Sequence, residues 1–355
     1  MKTLLVTLEF PPLIGGVETY YGKLVEYWPE EIRVLDNSER KLVRGSWLIG
    51  LLSVARRLRS YRPDWLLVGE ILPIGTMAWL LSFLFPFKYA VFLHGLDFSL
   101  AVSSARKRFL ARRILAGASR IIAVNSYTAN QVRTTFPFLN NITVANPGVE
   151  PATEVPVSAI AGLRQNYGLQ DAFVIATVAR FVKRKGVDMV MRALPEVRRE
   201  IPEIRYVVIG QGPAEGYLKG LSVSLGIAEQ VLMLSGLDTR TKDAWLAACD
   251  AFVMPVRDIA GDYEGFGIVY LEANSFAKPV IAGLSGGVGD AVVDGVNGLR
   301  VDENDPSAIA AAIIRLYREQ SLREQLGRQG CERARLFAWK LQVQKIFAIL
   351  TSQTV

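Results

Sequence analysis

The chain of 355 residues contains two cysteines and a single histidine, His94. Two isolated cysteines exclude a disulfide framework and are typical of a reducing compartment. One histidine excludes a His-rich metal site, and it excludes a Ser-His-Asp triad anywhere except around His94. These absences predict a protein of the cytoplasm.

The sequence also has no long apolar segment with the features of a signal peptide or a membrane span. The apolar run after Lys2 is too short for a signal sequence and lacks a small-residue cleavage site. Residues 71–87 carry no charge over 17 residues, but they include Pro73, Gly75 and Pro86, and a spanning helix needs about 20 residues. We interpret 71–87 as a helix packed on a sheet, with an apolar outer face.

Three sequence signatures of nucleotide and metal binding are missing. Neither GxGxxG nor GxxxxGK[ST] occurs, which disfavours a Rossmann dehydrogenase and a P-loop protein. No Asp-x-Asp pair is present to suggest a metal-bound diphosphate. We therefore expect no metal site and no required cofactor.

What the chain does have is a repeated alternation of short apolar runs with helical patterns. At this length two domains are expected. The apolar runs are 3–8, 32–35, 65–68, 89–93, 121–124, 142–144, 173–178, 206–209, 231–234, 251–254 and 279–282. Continuous apolar runs indicate parallel strands buried on both faces, so the predicted fold class is α/β with two doubly wound, Rossmann-like domains.

The pattern restarts after a Pro- and Gly-containing turn at 147–151, which predicts a domain boundary near residue 150. The predicted domains are 1–150 and 151–337. A last helical stretch, 338–355, is expected to cross back to the first domain. We expect the active site in the cleft between the two domains.

Ligands of open parallel sheets bind beyond the carboxyl ends of the strands. Gly15 and Gly16 lie between the first strand and its helix, where exposed N–H groups favour a phosphate; the alternative is a tight turn alone. His94 directly follows the fourth strand and precedes Gly95. It is predicted either to touch a ligand or to be a satisfied structural histidine.

A second group of candidates follows the first strand of the second domain. Arg180 and Lys185 flank a short loop there, and two cations at a strand end suit a pyrophosphate. The alternative is a solvated charge cluster. Lys183 and Arg184, in the same loop, are expected to face solvent.

The most informative segment is YEGFGIVYLEA, with Glu264 and Glu272 eight positions apart. A turn at Gly265–Gly267 is predicted to open a helix near Ile268, so that the N–H groups of residues 266–268 are free for a phosphate oxygen. Glu264 is predicted to accept hydrogen bonds from sugar hydroxyls, and Glu272 from a ribose. The alternative is a helix cap with a surface residue.

Together these segments resemble glycosyltransferase family 4, whose members have the GT-B fold. The Glu264–Glu272 spacing, the Arg180–Lys185 pair, Gly15-Gly16, His94, GQGP at 210–213 and LSGL at 234–237 follow the order of that family over nearly the whole chain. Within the family, EFPPLIGGVETY and EGFGIVYLEA look most similar to mannosyltransferases that use GDP-mannose and act on phosphatidylinositol mannosides.

The resemblance implies a role for each matching residue. Four are catalytic: His94, Arg180, Lys185 and Glu264. The donor-binding set is Gly15, Gly16, Arg180, Lys185, Gly210, Leu237, Glu264, Gly265, Phe266, Gly267, Ile268 and Glu272. Arg180 and Lys185 would neutralise the leaving diphosphate, Glu272 would hold the ribose, and Glu264 would bind the donor sugar. Residue Asp97, which follows His94, has no assigned role.

The implied function is retaining transfer of a hexose, with mannose from GDP-mannose favoured, to a lipid-linked or oligosaccharide acceptor. Attack would come from the face of the departing diphosphate, without an enzyme nucleophile. Domain 1–150 would bind the acceptor and domain 151–337 the nucleotide sugar. One alternative is a UDP-sugar-dependent transferase of the same fold in capsule or O-antigen synthesis. A catalytically silent glycan- or lipid-binding protein is the other, although all four key side chains are present.

The charge is concentrated in the first half, with 18 basic against 12 acidic residues over 1–155 and 23 against 22 over the rest. A basic amphipathic stretch at 104–116 suits an anionic membrane surface. Its cations are Arg106, Lys107, Arg108, Arg112 and Arg113. The expected location is peripheral, at the inner face of the plasma membrane; a solvated helix face is the alternative, and nucleic acid is not expected to be a partner.

Overall fold

A computed structural model of the protein describes residues 1–13, 15–38, 42–43 and 47–352. The chain divides into two compact units. Unit 1 comprises Met1–Gly148 and Trp339–Val355, and unit 2 comprises Val149–Ala338. The segment after residue 338 thus belongs to unit 1, and its last three residues lie outside the described ranges.

Each unit is built on one parallel sheet of six strands. The strands are β1 (Thr3–Val6), β2 (Ile32–Leu35), β3 (Trp65–Val68), β4 (Lys88–Leu93), β5 (Arg120–Ala123), β6 (Ile142–Val144), β7 (Phe173–Val178), β8 (Ile204–Ile209), β9 (Val231–Leu234), β10 (Ala251–Met254), β11 (Val280–Gly283) and β12 (Gly298–Val301). All except β12 coincide with a predicted apolar run to within two residues at either end. Strand β12 was not predicted because Arg300 interrupts its apolar run.

Helices connect the strands on both faces of each sheet. They are α1 (Gly16–Glu26), α2 (Trp47–Tyr61), α3 (Thr76–Leu81), α4 (Leu96–Ala101), α5 (Ala105–Gly117), α6 (Ser126–Thr135), α7 (Val157–Asn166), α8 (Val187–Glu200), α9 (Glu215–Ser224), α10 (Thr239–Ala248), α11 (Ile268–Ser275), α12 (Val288–Ala291), α13 (Pro306–Arg318), α14 (Gln320–Leu336) and α15 (Trp339–Thr351). The parallel strands and their helical crossovers confirm the predicted α/β class with two Rossmann-like domains.

Residues 71–87 do not form the single helix that was predicted. An irregular turn, Ile71–Gly75, comes first, with Leu72 in an extended conformation. Leu72 precedes Pro73, and a proline favours an extended conformation in the residue before it. Helix α3 then ends at Leu81, and beyond it Phe83 and Leu84 are 72% and 75% exposed.

Unit 1 has the strand order β2-β1-β3-β4-β5-β6. The chain therefore reverses direction across the sheet between β1 and β3, and this switch point is where a doubly wound sheet binds its ligands. Helix α15 completes the unit by packing against α1. Its Trp339 ring lies 5.7 Å from Tyr20, and its Phe347 ring lies 5.5 Å from Trp28, between centroids.

Unit 2 has the order β12-β11-β10-β7-β8-β9, with its switch point between β7 and β10. The side chains of β10 and most of those of β7 are buried, as expected for central parallel strands. The loops that follow β7 and β10 therefore emerge side by side at the edge where a ligand is expected.

Candidate active site

In unit 2, the loop after β7 presents its cations on a short 3-10 turn, Lys183–Lys185. Arg180 lies before this turn and is exposed. Gly186 closes the turn with a φ of +73°, and a Cβ atom at this position would lie 2.1 Å from the carbonyl oxygen of Pro255. Only glycine satisfies both conditions, so the turn is held against the loop that follows β10.

A buried ion pair anchors the same turn. The guanidinium of Arg257, from the loop after β10, contacts Asp188 of α8 at 2.5 Å, and both side chains are less than a tenth exposed. Arg257 also donates to the Lys183 carbonyl, and its backbone N–H donates to the Arg184 carbonyl at 2.8 Å. The loop after β10 thereby fixes the position of the 3-10 turn.

Glu264 contacts one other predicted site residue of unit 2, Lys185, and the neighbouring cation Arg184. Its Oε2 accepts hydrogen bonds from Lys185 Nζ and, at 2.8 Å, from Arg184 Nη1. Arg184 also pairs with Asp262 at 3.1 Å. The prediction that Arg184 faces solvent was therefore wrong, because the loop at 262–264 brings two carboxylates to it.

These cations control the protonation of Glu264. Burial acts to raise its carboxyl pKa, but the charges of Lys185 and Arg184 outweigh burial, and the pKa lies below the ordinary value. Glu264 is therefore a carboxylate at neutral pH and accepts hydrogen bonds without donating them.

Helix α11 begins directly after this cluster. Gly267 is its N-cap, with a φ of +80°, and Phe266 is buried beneath it. Within the described ranges, the N–H groups of Phe266, Gly267 and Ile268 donate no hydrogen bond. With Gly265, these residues form the turn and helix start that the sequence predicts; their binding of an anion stays a prediction.

Glu272 lies one turn further along α11 and forms an ion pair with Lys242. Its Oε2 is 2.7 Å from Lys242 Nζ, on α10, and the Glu272 side chain is 31% exposed. Burial acts to lower the pKa of Lys242, but Glu272 and Asp243 outweigh it and raise the pKa above its ordinary value. Glu272 thus keeps one carboxylate edge accessible.

The two remaining predicted residues of unit 2 occupy the ends of neighbouring strands. Gly210 follows β8 and donates to Leu234 at 2.8 Å. A Cβ atom on Gly210 would lie 1.9 Å from the Ala179 carbonyl oxygen. Leu237 is half-buried and immediately precedes Asp238, the N-cap of α10.

In unit 1, His94 lies against two buried tyrosines. The ring centroids of Tyr20 and Tyr21 are 5.0 and 5.2 Å from the imidazole, both edge-on. The Tyr21 hydroxyl donates to the Gly69 carbonyl at 2.7 Å and lies 2.9 Å from His94 Nε2. Because that hydroxyl has a single hydrogen, Nε2 must be the donor to Tyr21.

The His94 ring is consequently neutral with a defined tautomer. Burial lowers its pKa to about 3. With the proton on Nε2, the Nδ1 atom carries a lone pair and has no hydrogen-bond partner among the described residues. His94 can therefore accept a hydrogen bond from a ligand hydroxyl through Nδ1 but cannot act as an acid.

His94 lines a cavity of about 410 Å³ inside unit 1, together with residues that were not predicted as site residues. Among these, Glu9, Glu70 and Asp97 bring three carboxyl groups to one space. Gly15 and Gly16 begin α1 nearby, and Val17 of that helix is part of the lining. A carboxylate immediately after a strand was the signal available for Glu70, which follows β3 after one glycine.

Over the described ranges, no group of three or more His, Cys, Asp or Glu side chains is arranged to hold a metal ion. Nor does any described helix have the length and apolar character needed to cross a membrane.

Comparison with known proteins decides the family. Residues 162–333 match the model "Glycosyl transferases group 1", and residues 33–153 match "Glycosyltransferase Family 4". A GDP-mannose-dependent alpha-(1-6)-phosphatidylinositol monomannoside mannosyltransferase of Mycolicibacterium smegmatis is 31% identical over 335 residues, which cover 87% of each chain. The chain belongs to glycosyltransferase family 4.

A second relative of this glycosyltransferase, from Corynebacterium glutamicum, is 28% identical over 381 aligned positions, covering 99% of this chain and 98% of the relative. It is named a GDP-mannose-dependent monoacylated alpha-(1-6)-phosphatidylinositol monomannoside mannosyltransferase. The solved structure of Anabaena Alr3699/HepE in complex with UDP has a TM-score of 0.84 and 20% identity, covering 99% and 100% of the two chains. It shares the GT-B fold, so the predicted family and fold are both confirmed.

Within this glycosyltransferase, the two predicted cations of unit 2 are placed differently. Lys185 and Glu264 are in direct contact, at the start of α11. Arg180 is exposed and makes no ion pair among the described residues. Two contributors were missed, Arg184 and Arg257, because their partners lie about 70 to 80 positions away in the sequence.

Proposed function

We propose that this enzyme transfers a hexose, with mannose from GDP-mannose favoured, to a lipid-linked or glycan acceptor. Unit 2 binds the donor, and unit 1 binds the acceptor. The observation that carries the proposal is the contact of Lys185 and Arg184 with one oxygen of Glu264, immediately before the N–H groups of residues 266–268, which donate no hydrogen bond in the described part of the chain. The names of the relatives from M. smegmatis and C. glutamicum support this donor and a phosphatidylinositol mannoside acceptor.

In this proposal the donor diphosphate takes Lys185 from Glu264. Arg180, exposed at the end of β7, and Lys185 neutralise the diphosphate as it leaves. Arg184 keeps its own bond to Glu264, so the carboxylate stays oriented for the hydroxyls of the transferred sugar. Glu272 accepts the ribose hydroxyls through its accessible edge.

Neutral groups complete the donor site. Residues Phe266, Gly267 and Ile268 offer their N–H groups to the diphosphate. The other proposed donor contacts are Gly15, Gly16, Gly210, Leu237 and Gly265. His94 accepts a hydrogen bond from the transferred sugar through Nδ1, near its C6 hydroxyl.

The proposed chemistry retains the configuration of the sugar. The acceptor oxygen attacks from the face that the diphosphate leaves, and a phosphate oxygen takes the acceptor proton. A double-displacement glycosidase places two carboxylates about the reacting carbon. Here Glu264 is held by two cations and His94 by Tyr21, so both are suited to binding, and the protein acts chiefly by stabilising the charge of the leaving group.

A UDP-sugar donor is the second candidate, because the structurally similar Alr3699/HepE was solved with UDP. The test is a thermal shift and donor-hydrolysis assay with GDP-mannose, UDP-glucose and UDP-GlcNAc on the wild type, Glu264→Ala and the control Glu203→Ala, whose side chain is exposed. Response to GDP-mannose alone, lost in Glu264→Ala and kept in the control, supports the proposal. Response to a UDP-sugar alone rejects the donor but keeps the family.

We also propose that helix α5 holds the enzyme against the inner face of the plasma membrane. All five of its proposed contacts are exposed: Arg106, Lys107, Arg108, Arg112 and Arg113. The Phe109 ring between them is 60% exposed, and the Arg113 guanidinium lies 5.2 Å from its centroid. Cations flanking an exposed aromatic ring suit an anionic lipid surface.

Vesicle sedimentation tests this surface. Binding to phosphatidylglycerol-containing vesicles is expected to fall in Arg112→Ser/Arg113→Ser and to persist in the control Arg198→Ser, on unit 2. Equal binding of the double variant, or equal binding to neutral phosphatidylcholine vesicles, would remove α5 from the proposal.

A further inference from the structure

A second cavity of unit 1 lies at the amino ends of its strands, away from the proposed active site. Phe87, which lines it, immediately precedes β4, whereas His94 immediately follows that strand. The cavity has a volume of about 370 Å³, in the range of small-molecule sites. Its lining joins the end of α2 to the segment before β4 and includes Leu58, Arg59, Arg62, Pro63, Phe85 and Phe87.

The cavity presents two guanidinium groups without a counter-charge. Arg59 and Arg62 are exposed, and in the described part of the chain neither side chain forms an ion pair or a hydrogen bond. Helix α2 contains no acidic residue, and the next one along the chain, Asp64, accepts the Lys2 N–H at 2.7 Å. The charge at this cavity therefore favours an anion, and guanidinium groups suit the oxygens of a phosphate.

The backbone of Arg62 also points to a use for its side chain. Arg62 follows the last residue of α2 and has a φ of +50°. Glycine adopts this conformation after a helix without strain, whereas a side chain makes it costly. Backbone strain of this kind is found preferentially at functional sites. A guanidinium thus stands at a position where glycine would be the more stable residue.

The rest of the lining is apolar. The rings of Phe85 and Phe87 are half-buried and pack against the hydrophobic core of unit 1, and Pro63 between Arg62 and β3 is buried. A phosphate held by the two guanidinium groups would therefore have hydrocarbon surface beside it. The ligand that fits both parts of the lining is an anion with an apolar chain.

Two strongly exposed apolar side chains lie in the same segment. Phe83 and Leu84 are 72% and 75% exposed. The turn that carries them is ordered, because the N–H groups of Leu84 and Phe85 both donate to the Leu81 carbonyl at 3.0 Å and the Phe83 ring packs edge-on at 5.7 Å from Trp79. Apolar side chains held in water beside cations are typical of a surface that contacts an anionic membrane.

This surface adjoins the helix proposed above to contact the membrane. A Cβ atom on Gly117, the last residue of α5, would lie 3.3 Å from Cδ1 of Trp79, the residue that packs against Phe83. The exposed turn therefore lies next to the end of α5, and one lipid surface can contact both.

We propose that this cavity binds the phosphate of an anionic phospholipid through Arg59 and Arg62, while Phe83 and Leu84 enter the apolar part of the same membrane. The proposal deepens the membrane attachment proposed for α5 but assigns the lipid to a different site. The bound lipid is an anchor and not the acceptor, because the cavity lies at the opposite ends of the strands from the groups proposed for transfer.

A soluble short-chain lipid tests the cavity by itself. The probes are dihexanoyl phosphatidylglycerol, dihexanoyl phosphatidylcholine and glycerol phosphate, measured by ligand-observed NMR on the full chain. The first should bind, and the others should bind about tenfold more weakly, since one has no net charge and the other has no hydrocarbon chain. Arg59→Ser/Arg62→Ser should weaken the first probe about tenfold. The matched control is Arg56→Ser/Arg57→Ser, because these exposed cations of α2 do not line the cavity, and it should bind as the wild type does.

Arg62→Gly separates a binding role from a structural one. Glycine relieves the backbone strain, so the melting temperature should be unchanged or higher. The same variant loses one phosphate contact, so dihexanoyl phosphatidylglycerol should bind about fivefold more weakly. A residue with a purely structural role would not combine these two results.

Vesicle sedimentation tests the exposed turn. Phe83→Ser/Leu84→Ser should bind phosphatidylglycerol-containing vesicles about tenfold more weakly than the wild type, since two apolar side chains no longer leave water. The control Val157→Ser/Val223→Ser removes side chains of unit 2 that are 82% and 70% exposed, and it should bind as the wild type does.

Three results would overturn the proposal. Equal affinities of Arg59→Ser/Arg62→Ser and its matched control for the short-chain lipid would show that α2 acts only through its overall charge. Glycerol phosphate binding as tightly as the lipid would show a site for free phosphate. Unchanged vesicle binding of Phe83→Ser/Leu84→Ser would show that the turn stays outside the membrane.

The contact proposed for α5 is tested separately. If Arg112→Ser/Arg113→Ser binds vesicles as the wild type does while the cavity and turn variants fail, the α5 contact is rejected and the lipid cavity remains. The reverse result keeps the α5 contact and rejects the cavity. Neither lipid measurement uses a nucleotide sugar, so failure of donor hydrolysis would count against the proposed transfer alone.

Discussion

Glu264 of unit 2 and Glu70 of unit 1 are both largely buried carboxyl groups beyond the ends of parallel strands, yet their surroundings are opposite. Lys185 and Arg184 both contact Glu264, and its pKa lies below the ordinary value. Glu70 has only a hydroxyl and one N–H on a single oxygen, and burial raises its pKa to about 7.

Burial alone therefore does not define the role of a carboxyl group. Where cations accompany it, the group is a permanent anion, and the cluster can exchange one partner for a ligand phosphate. Where cations are absent, the group is ready for neutral donors.

Breaking the buried pair of unit 2 should have the largest effect. Asp188→Ala leaves Arg257 as a buried, unpaired cation, and we expect a loss of about 3–5 kcal/mol in the free energy of unfolding, measured with urea. The control is Glu319→Ala, which removes an exposed pair with Arg315 and should cost less than about 1 kcal/mol. Similar losses of unfolding free energy in the two variants would show that burial does not make the Asp188–Arg257 pair more important than an exposed pair.

Removing Lys185, one of the two cations that contact Glu264, should mainly affect catalysis. Lys185→Ala is expected to lower kcat about 10²–10³-fold, since one charge contact to the leaving group is lost. Lys183→Ala is the matched control, because Lys183 belongs to the same 3-10 turn but is exposed. Steady-state transfer rates decide the point; equal rates for Lys183→Ala and Lys185→Ala would refute the role of Lys185.

The Glu70 carboxyl of unit 1 should make the free energy of unfolding depend on pH, so that it decreases as the pH rises. Glu70 has a pKa of about 7 in the folded protein and about 4.5 when unfolded, so the folded state binds more protons between these values and loses stability as pH rises. Glu70→Gln does not titrate. Relative to wild type, it should gain on the order of 1–3 kcal/mol in unfolding free energy between pH 5 and pH 8.

Urea titrations of the wild type and Glu70→Gln at each pH measure this difference, which includes the effect of losing the Glu70 charge on the titration of Asp97, a group whose own charge raises the pKa of Glu70. A difference that is constant from pH 5 to pH 8 would show that Glu70 titrates in its ordinary range.

The smallest effect is expected for the partly exposed ion pair of Lys242 and Glu272. Lys242→Met removes the partner of Glu272, but Glu272 is 31% exposed and water can replace the cation. We expect the donor KM to change less than about fivefold, with kcat unaltered. A large fall in kcat would instead place Lys242 among the groups that stabilise the transition state.

Much of the fold was predictable because the central strands are buried on both faces and read as unbroken apolar runs. Strands β7 and β10 are examples, and both were predicted. The exceptions have local causes: Arg300 hides β12, and the proline at 73 breaks the helical pattern of 71–87.

The site was less predictable because its contacts join distant segments. The motif spacing located Lys185 and Glu264, but loop charges were assumed to be solvated, and the structure pairs Arg184 with Glu264 across 80 positions. Glu70 was missed for a different reason. Its importance depends on β1 lying between β2 and β3, and strand order is not contained in hydrophobic periodicity.

Unit 1 is assembled from two stretches of chain, and this has a consequence for biosynthesis. Helix α15, whose rings contact Tyr20 of α1 and Trp28 just beyond that helix, leaves the ribosome only after all of unit 2 has been made. Unit 2 is contiguous and can fold as it emerges. Until α15 has been synthesised, Tyr20 and Trp28 lack the rings that pack against them in the folded protein. We therefore expect the incomplete chain to need a chaperone most during this interval.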